Sequence, residues 1–196
     1  MAEVKVLIEG YAKEEEGFEL ASSTTTLIRE GDFKIIVDPG MNRKLLLEAL
    51  EKENLSKEDI NYVVLTHNHL DHILLAGIFE NAQILDEGAI YSFEGTIKNH
   101  EGRIPGTNIE IISTPGHDQS HSTVLVDTKK FGKVAIAADV FWWADNEEQK
   151  TDKESLIGRE DPYVKDKKKL IESRKKILEK ADYIIPGHGK MFKVKR

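Results

Sequence analysis

Three imidazoles and a carboxylate fall within six residues, His67-Asn68-His69-Leu70-Asp71-His72, directly after the apolar run Tyr62-Val63-Val64-Leu65-Thr66. Such a run, bounded by polar residues, reads as a buried strand. A chain that ends a buried strand in this way must gather its histidines at one stiff edge of a sheet. His67 and His69 lie two apart, so in an extended segment they point to the same side. Asp71 and His72 follow the turn and open a short helix. Neutral imidazole and carboxylate are ordinary ligands of zinc and its neighbours, with no need of cysteine. A histidine-rich surface turn is the plain alternative, and the buried strand in front of it argues against that.

Later segments repeat the pattern of apolar strand, tight turn and ligand-type residue. Thr114-Pro115-Gly116-His117 follows the alternating run from Ile109, Ala135-Ile136-Ala137-Ala138 ends in Asp139, and Tyr183-Ile184-Ile185-Pro186-Gly187 leads to His188. Taken alone, each reads more naturally as a turn or core residue. Together they resemble the HxHxDH signature and following His, Asp and His of the metallo-β-lactamase superfamily, in the right order and across nearly the whole chain.

The resemblance implies an α+β fold, a four-layer αββα metallo-β-lactamase-like sandwich. By position it implies that His67, His69 and His117 hold one ion, that Asp71, His72 and His188 hold a second, and that Asp139 bridges them. Asp38, in Val37-Asp38-Pro39-Gly40, matches the family's supporting acid behind the ligands. Glu9-Gly10-Tyr11 and the segment from Ala21 resemble a small stand-alone branch whose members perform varied hydrolysis, RNA cleavage included. Two divalent ions carry four positive charges, of which Asp71, Asp139 and a bridging hydroxide would remove three. About one positive charge is left, which favours a developing oxyanion. Hydrolysis by a hydroxide made available near pH 7 follows, with Asp71 as the catalytic residue that orients it. Zinc is the expected metal, with iron and manganese as alternatives.

At 196 residues the chain reads as one domain, 1–196, with an ample core. It has no cysteine, no signal peptide and no membrane span, which leads us to expect a cytoplasmic protein that does not engage membranes. Its net charge of −7 is unevenly spread: residues 1–144 hold 13 Lys and Arg against 24 Asp and Glu, and residues 145–196 hold 15 against 11. A basic end suits phosphate backbones. Yet Lys165–Ala181 reads as an amphipathic helix, with Leu170, Ile171, Arg174, Ile177, Leu178 and Ala181 along one face and its lysines in solvent. Nucleic acid is therefore a disfavoured partner and a small molecule the expected one; the sequence does not decide the assembly, although members of the family it resembles often form homodimers.

Val4–Glu9, Thr24–Arg29 and Lys34–Val37 read as a meander. Arg43–Glu53 reads as a helix capped by Asn42, with Leu46, Leu47 and Leu50 on its inner face. Interleaved strands and helices predict sheets covered by helices. Two connections are expected to shape substrate choice, the loop Tyr11–Ser22 and a mobile, aperiodic flap over Ala144–Lys165. Phe141-Trp142-Trp143 follows Asp139, and two readings stand side by side: exposed aromatics that hold apolar parts of a substrate, or one tryptophan in the core with the other packed against the loop after it. His121 is expected to orient a ligand or stack near the rim, and His100 to lie on the surface without a special role. The favoured substrate is a small thioester, lactone or related ester. A nuclease or phosphodiesterase is the second reading, and a mononuclear iron persulfide dioxygenase-like oxidoreductase the third.

Overall fold

The computed structural model describes residues 1–195. In chain order its strands and helices are β1 (Glu3–Ile8), β2 (Tyr11–Glu15), β3 (Phe18–Ser22), β4 (Thr25–Glu30), β5 (Phe33–Val37), α1 (Arg43–Lys52), β6 (Tyr62–Val64), α2 (Leu70–Ile73), β7 (Gln83–Leu85), β8 (Ala89–Tyr91) and β9 (Ile97–Asn99). The second half continues with β10 (Glu110–Ser113), β11 (Ser122–Thr128), β12 (Gly132–Ala138), α3 (Lys153–Gly158), α4 (Lys167–Lys180), β13 (Tyr183–Pro186) and β14 (Phe192–Lys193). Strands β1-β4-β5-β6-β7-β8-β9 form a seven-stranded sheet, β10-β11-β12-β13-β14 a five-stranded sheet, and β2 pairs with β3 alone.

Three apolar layers explain why the central strands carry apolar residues on both faces instead of alternating. Between the sheets, Ile28, Ile35, Val37 and Val64 meet Val124, Val126, Val134, Ile136 and Ile185. The next residues along the same strands point outward. Leu27, Ile36 and Val63 pack beneath Leu46 and Leu50 of α1, while Leu125, Ala135, Ala137 and Ile184 pack beneath Leu170, Ile177 and Leu178 of α4. The result is the αββα sandwich. Each fully buried aliphatic side chain contributes about 1.5–3 kcal/mol of transfer free energy, so these layers dominate the cohesion of the fold.

Strand direction decides where the polar residues go. β5, β6 and β7 run parallel, as do β12 and β13, and β10 points the same way as β12 because each is antiparallel to β11. Their carboxyl ends therefore deliver Asp38, the segment from His67, His117, Asp139 and His188 to one rim.

Several expectations need correction. Leu47 is 37% exposed, off the inner face of α1, although Asn42 does cap the helix through the Leu45 N–H at 3.2 Å. Tyr11–Ser22 is a β-hairpin rather than a loop. The 144–165 segment is not an aperiodic flap: it contains α3, and its Leu156 is 1% exposed. His100 braces a turn, with its ring nitrogens 3.0 Å from the Asp86 carbonyl and the Gly102 N–H. Among the described residues no helix is long and apolar enough to cross a membrane.

Candidate metal centre

The turn after β6 brings His67, His69, Asp71 and His72 to the rim, and the ends of β10, β12 and β13 bring His117, Asp139 and His188 to face them. All seven residues singled out from the sequence meet there, in two groups of potential ligand atoms: His67, His69, His117 and Asp139 in one, and Asp71, His72 and His188 in the other. Asp139 spans both. Its Oδ2 lies 3.3 Å from His117 Nε2 and 3.6 Å from His67 Nε2, while its Oδ1 lies 3.2 Å from His72 Nε2 and 3.8 Å from His188 Nε2. Asp71 Oδ2 lies 3.2 Å from His188 Nε2 and 3.7 Å from His72 Nε2.

The imidazoles are oriented from behind. Asp38 Oδ2 accepts from His72 Nδ1 at 2.8 Å and from the Thr66 hydroxyl at 2.7 Å; its Oδ1 takes the Thr66 N–H at 2.9 Å. With its proton committed to Asp38, the Thr66 oxygen accepts from His67 Nδ1 at 3.0 Å. His188 Nδ1 donates to the Tyr11 carbonyl at 3.0 Å, and His117 Nδ1 to Asp161 Oδ2 at 2.7 Å. Each of these four rings thus spends its Nδ1 proton outward and points Nε2 into the cluster. His69 presents the other nitrogen: its Nδ1 sits 3.2 Å from His117 Nε2.

Polar atoms without partners lie at the middle of this cluster. His67 Nε2, His72 Nε2 and Asp139 Oδ1 are buried and make no hydrogen bond among the described residues; the 3.2 Å approach of the last two is a close contact without hydrogen-bond geometry. Buried polar atoms are rarely left so, and a cation between them satisfies all three. The donor set, imidazole with carboxylate, fits a divalent transition metal. Protons alone strain the cluster. Burial holds His67 well below its ordinary pKa, and the charge on His72 adds to this. Burial would also depress His72, but the Asp139 and Asp38 carboxylates overcome it and hold that ring well above the usual value. Burial would raise the Asp139 carboxyl; the imidazoles, His72 foremost, hold it well below the carboxylate range instead. Asp71 is lowered too, its burial outweighed by His188 and His72.

Backbone strain sits at the same place. Ala138 and Asp38 adopt φ of 42° and 50°, unusual for residues other than glycine and a recurrent mark of functional sites. At Gly187 a Cβ would lie 1.7 Å from Asp139 Oδ1, so only glycine leaves room for that carboxylate.

The cluster opens into a cleft of about 1030 Å³. The β2–β3 hairpin contributes Leu20, Glu14 and Glu19 to its wall, and the segment after β12 contributes Trp142 and Tyr163. Of the two tryptophans, Trp143 is the core residue, 3% exposed, and Trp142 faces the cleft. His121 is fully buried rather than at the rim. It stacks on His67 with ring centroids 4.8 Å apart, Thr114 Oγ1 lies 3.1 Å from its Nδ1, and burial lowers its pKa to about 3.

Sequence reasoning missed Asp161, Tyr163 and the Thr66 relay. Thr66 has a visible signal, a polar residue between a buried strand and the histidines. Asp161-Pro162-Tyr163 offers none, since nothing in a polar stretch distinguishes this acid from its neighbours.

Residues 19–102 match the sequence profile of the metallo-beta-lactamase superfamily. The chain is 32% identical to metallo-beta-lactamase domain-containing protein 1 of Xenopus laevis, over 97% of this chain and 81% of that protein. The chain belongs to the metallo-beta-lactamase superfamily. It is, by that membership, a metal-dependent hydrolase. A protein of Methanocaldococcus jannaschii named a probable metallo-hydrolase is 31% identical over 98% of this chain and 90% of its own length. Relatives differ in length: the chain spans 62% of the mouse protein named like the frog one. A metallo-beta-lactamase homologue of Thermotoga maritima has the same superfamily fold, with a TM-score of 0.73 at 21% identity, covering 98% of this chain and 99% of that one. So does a dizinc quorum-quenching lactonase, TM-score 0.65 at 18% identity, covering 87% and 73%.

Proposed function

We propose that this superfamily member is a binuclear hydrolase of a small ester-like substrate, a thioester, lactone or related acyl compound. In this reading His67, His69 and His117 hold one divalent ion, zinc by preference, Asp71, His72 and His188 hold the other, and Asp139 bridges them. The observation that carries it is the division of Asp139, whose two oxygens face two separate groups of imidazole nitrogens. Ions bound there would supply Lewis acidity and a water acidic enough to attack near neutral pH.

The chain's own residues do the rest. Asp71 reaches the cleft with its side chain 21% exposed, so its carboxylate is placed to accept a proton from an attacking water and aim it. The Trp142 and Tyr163 rings, 5.8 Å apart, and Leu20 offer an apolar wall for an acyl or ring portion. Glu14, Glu19 and Asp145 line the same cleft against Lys13, the single cation there among the described residues, whose ammonium is already 3.1 Å from Glu15. That wall disfavours a polyanion, which is why the ester reading stands above nuclease or phosphodiesterase action. The lactonase named above acts within the same fold on an ester of this kind.

The test is a turnover panel of thioesters, lactones and aryl esters on protein of known metal content. Turnover that vanishes with EDTA and returns with about two ions per chain supports the proposal. A fully metal-loaded protein inert on the whole panel, yet cleaving RNA or bis(p-nitrophenyl) phosphate, overturns it. One iron per chain with oxygen consumption would point to persulfide oxidation instead.

A further inference from the structure

Asp161 lies 44 residues beyond His117 in the chain, in the connection between α3 and α4, yet its carboxylate is 1% exposed and fully engaged. Oδ2 accepts from His117 Nδ1 at 2.7 Å, and Oδ1 accepts the Tyr163 N–H at 3.0 Å. One side chain thus grips an imidazole of the cluster and fixes the first turn of a loop that carries a cleft residue. The Tyr163 ring is half-exposed, and its centroid is 6.4 Å from that of His69 and 6.5 Å from that of His117.

The connection is anchored on both sides. After Tyr163, the N–H groups of Lys165 and Asp166 both donate to the Gly116 carbonyl at 2.9 Å, next to His117 itself. Gly116 makes this approach possible, since at its φ of 137° a Cβ would meet the Leu170 backbone nitrogen at 2.2 Å. Before Asp161, the buried Arg174 of α4 gives Nε to the Val140 carbonyl at 3.0 Å and Nη1 to the carbonyls of Ile157 and Arg159. Its guanidinium makes no close ion pair among the described residues. It serves instead to join the segment after Asp139 to the segment before Asp161.

A buried aspartate beside a histidine is often no more than a satisfied pair. Here the same carboxylate commits His117 to the tautomer whose Nε2 faces Asp139, and seats the residue that walls the cleft. We infer that Asp161 is a positioning residue for the metal centre, holding His117 in its ligating orientation and, through the Tyr163 backbone, setting the adjacent wall of the substrate cleft. This rests on the reading that the cluster holds metal.

Two variants test it. Asp161→Asn keeps shape and can still accept one hydrogen bond, whereas Asp161→Ala removes the grip. Metal affinity is read by chelator competition on stripped protein, and the His117 tautomer by long-range 1H–15N spectra of histidine-labelled protein. Loss of a partner behind a ligating histidine weakens metal binding roughly 10–100-fold. We expect a loss of that order for one of two ions in Asp161→Ala, a smaller loss in Asp161→Asn, and a mixed His117 tautomer in both. Tyr163→Ala should raise KM and leave metal affinity unchanged, which separates the two outputs of the residue. Folded variants, Asp161→Asn alone if Asp161→Ala does not fold, with wild-type affinity for both ions and an unchanged His117 tautomer overturn the inference while the metal reading stands. A wild-type protein that binds no metal overturns both.

Discussion

The floor and the roof of the cleft are built on opposite terms. The floor stands on the carboxyl ends of buried strands, and three of its imidazoles are held by the buried side chains of Asp38, Thr66 and Asp161, while His188 leans on the half-buried Tyr11 carbonyl where the hairpin begins. The roof is an exposed hairpin and a loop, in which Glu14 on β2 stands directly opposite Glu19 on β3. Like charges in that position cost a hairpin some stability. The floor therefore tolerates almost no change in shape, while the roof is free to vary in charge and contact.

The contrast is broken most directly at Gly187. Gly187→Ala drives a methyl group into Asp139 Oδ1, and we expect destabilisation of roughly 3 kcal/mol with loss of bound metal. Urea denaturation and elemental analysis would check this; a variant with normal stability and metal content would show that the floor is softer than described. Asp139→Ala comes next. It should lose metal and turnover together, and retention of both would remove Asp139 from the bridging position.

Stripping the ions should also matter to the floor alone. A ligand present at 100 times its Kd stabilises the folded state by about 2.7 kcal/mol. EDTA should accordingly lower Tm by several degrees, a shift that calorimetry would register. His121 gives a pH signature within the stripped protein. Buried neutral, it ionises near 3 when folded and near 6.5 when unfolded. The unfolded chain binds its proton first, so this group costs stability as pH falls below about 6.5, down towards 3. His121→Asn should flatten that limb by up to about 1.4 kcal/mol per pH unit, read as the difference between the two proteins' urea midpoints in EDTA. Equal slopes would mean that the ring is not held neutral.

The smallest effect belongs to the roof. Glu14→Gln should stabilise the hairpin by about 0.2–1 kcal/mol, leave metal content unchanged, and improve turnover of anionic esters relative to neutral ones. A loss of metal in this variant would mean that roof and floor are not separable.

The same contrast governs what could be read from the sequence. The floor was legible because burial writes itself in apolar runs: Val63-Val64, Ala135 to Ala138 and Ile184-Ile185 announce strands, and the ligand-type residues stand at their ends. The helix of Leu170 to Leu178 was legible by its spacing. The hairpin was not, since Lys13-Glu14-Glu15-Glu16 and Phe18-Glu19-Leu20 are exposed on both sides and show no inward face. α3 is six residues long, too short for a period to emerge. Three consecutive leucines, Leu45 to Leu47, blur the stripe of α1, so spacing alone sets Leu47 on the wrong face. Asp161 was invisible for a different reason: its role depends entirely on what the fold sets beside it.

The rim where the strands end is also a seam between two sheets. The group of His67, His69, His117 and Asp139 draws on both sheets, and so does that of Asp71, His72 and His188. An ion in either place would act as a rivet, closing loops dozens of residues long in a chain that has no disulfide to do so. Mechanical pulling on the two halves of the chain should then meet its resistance at the catalyst, and the force needed to part the sheets would count the ions present.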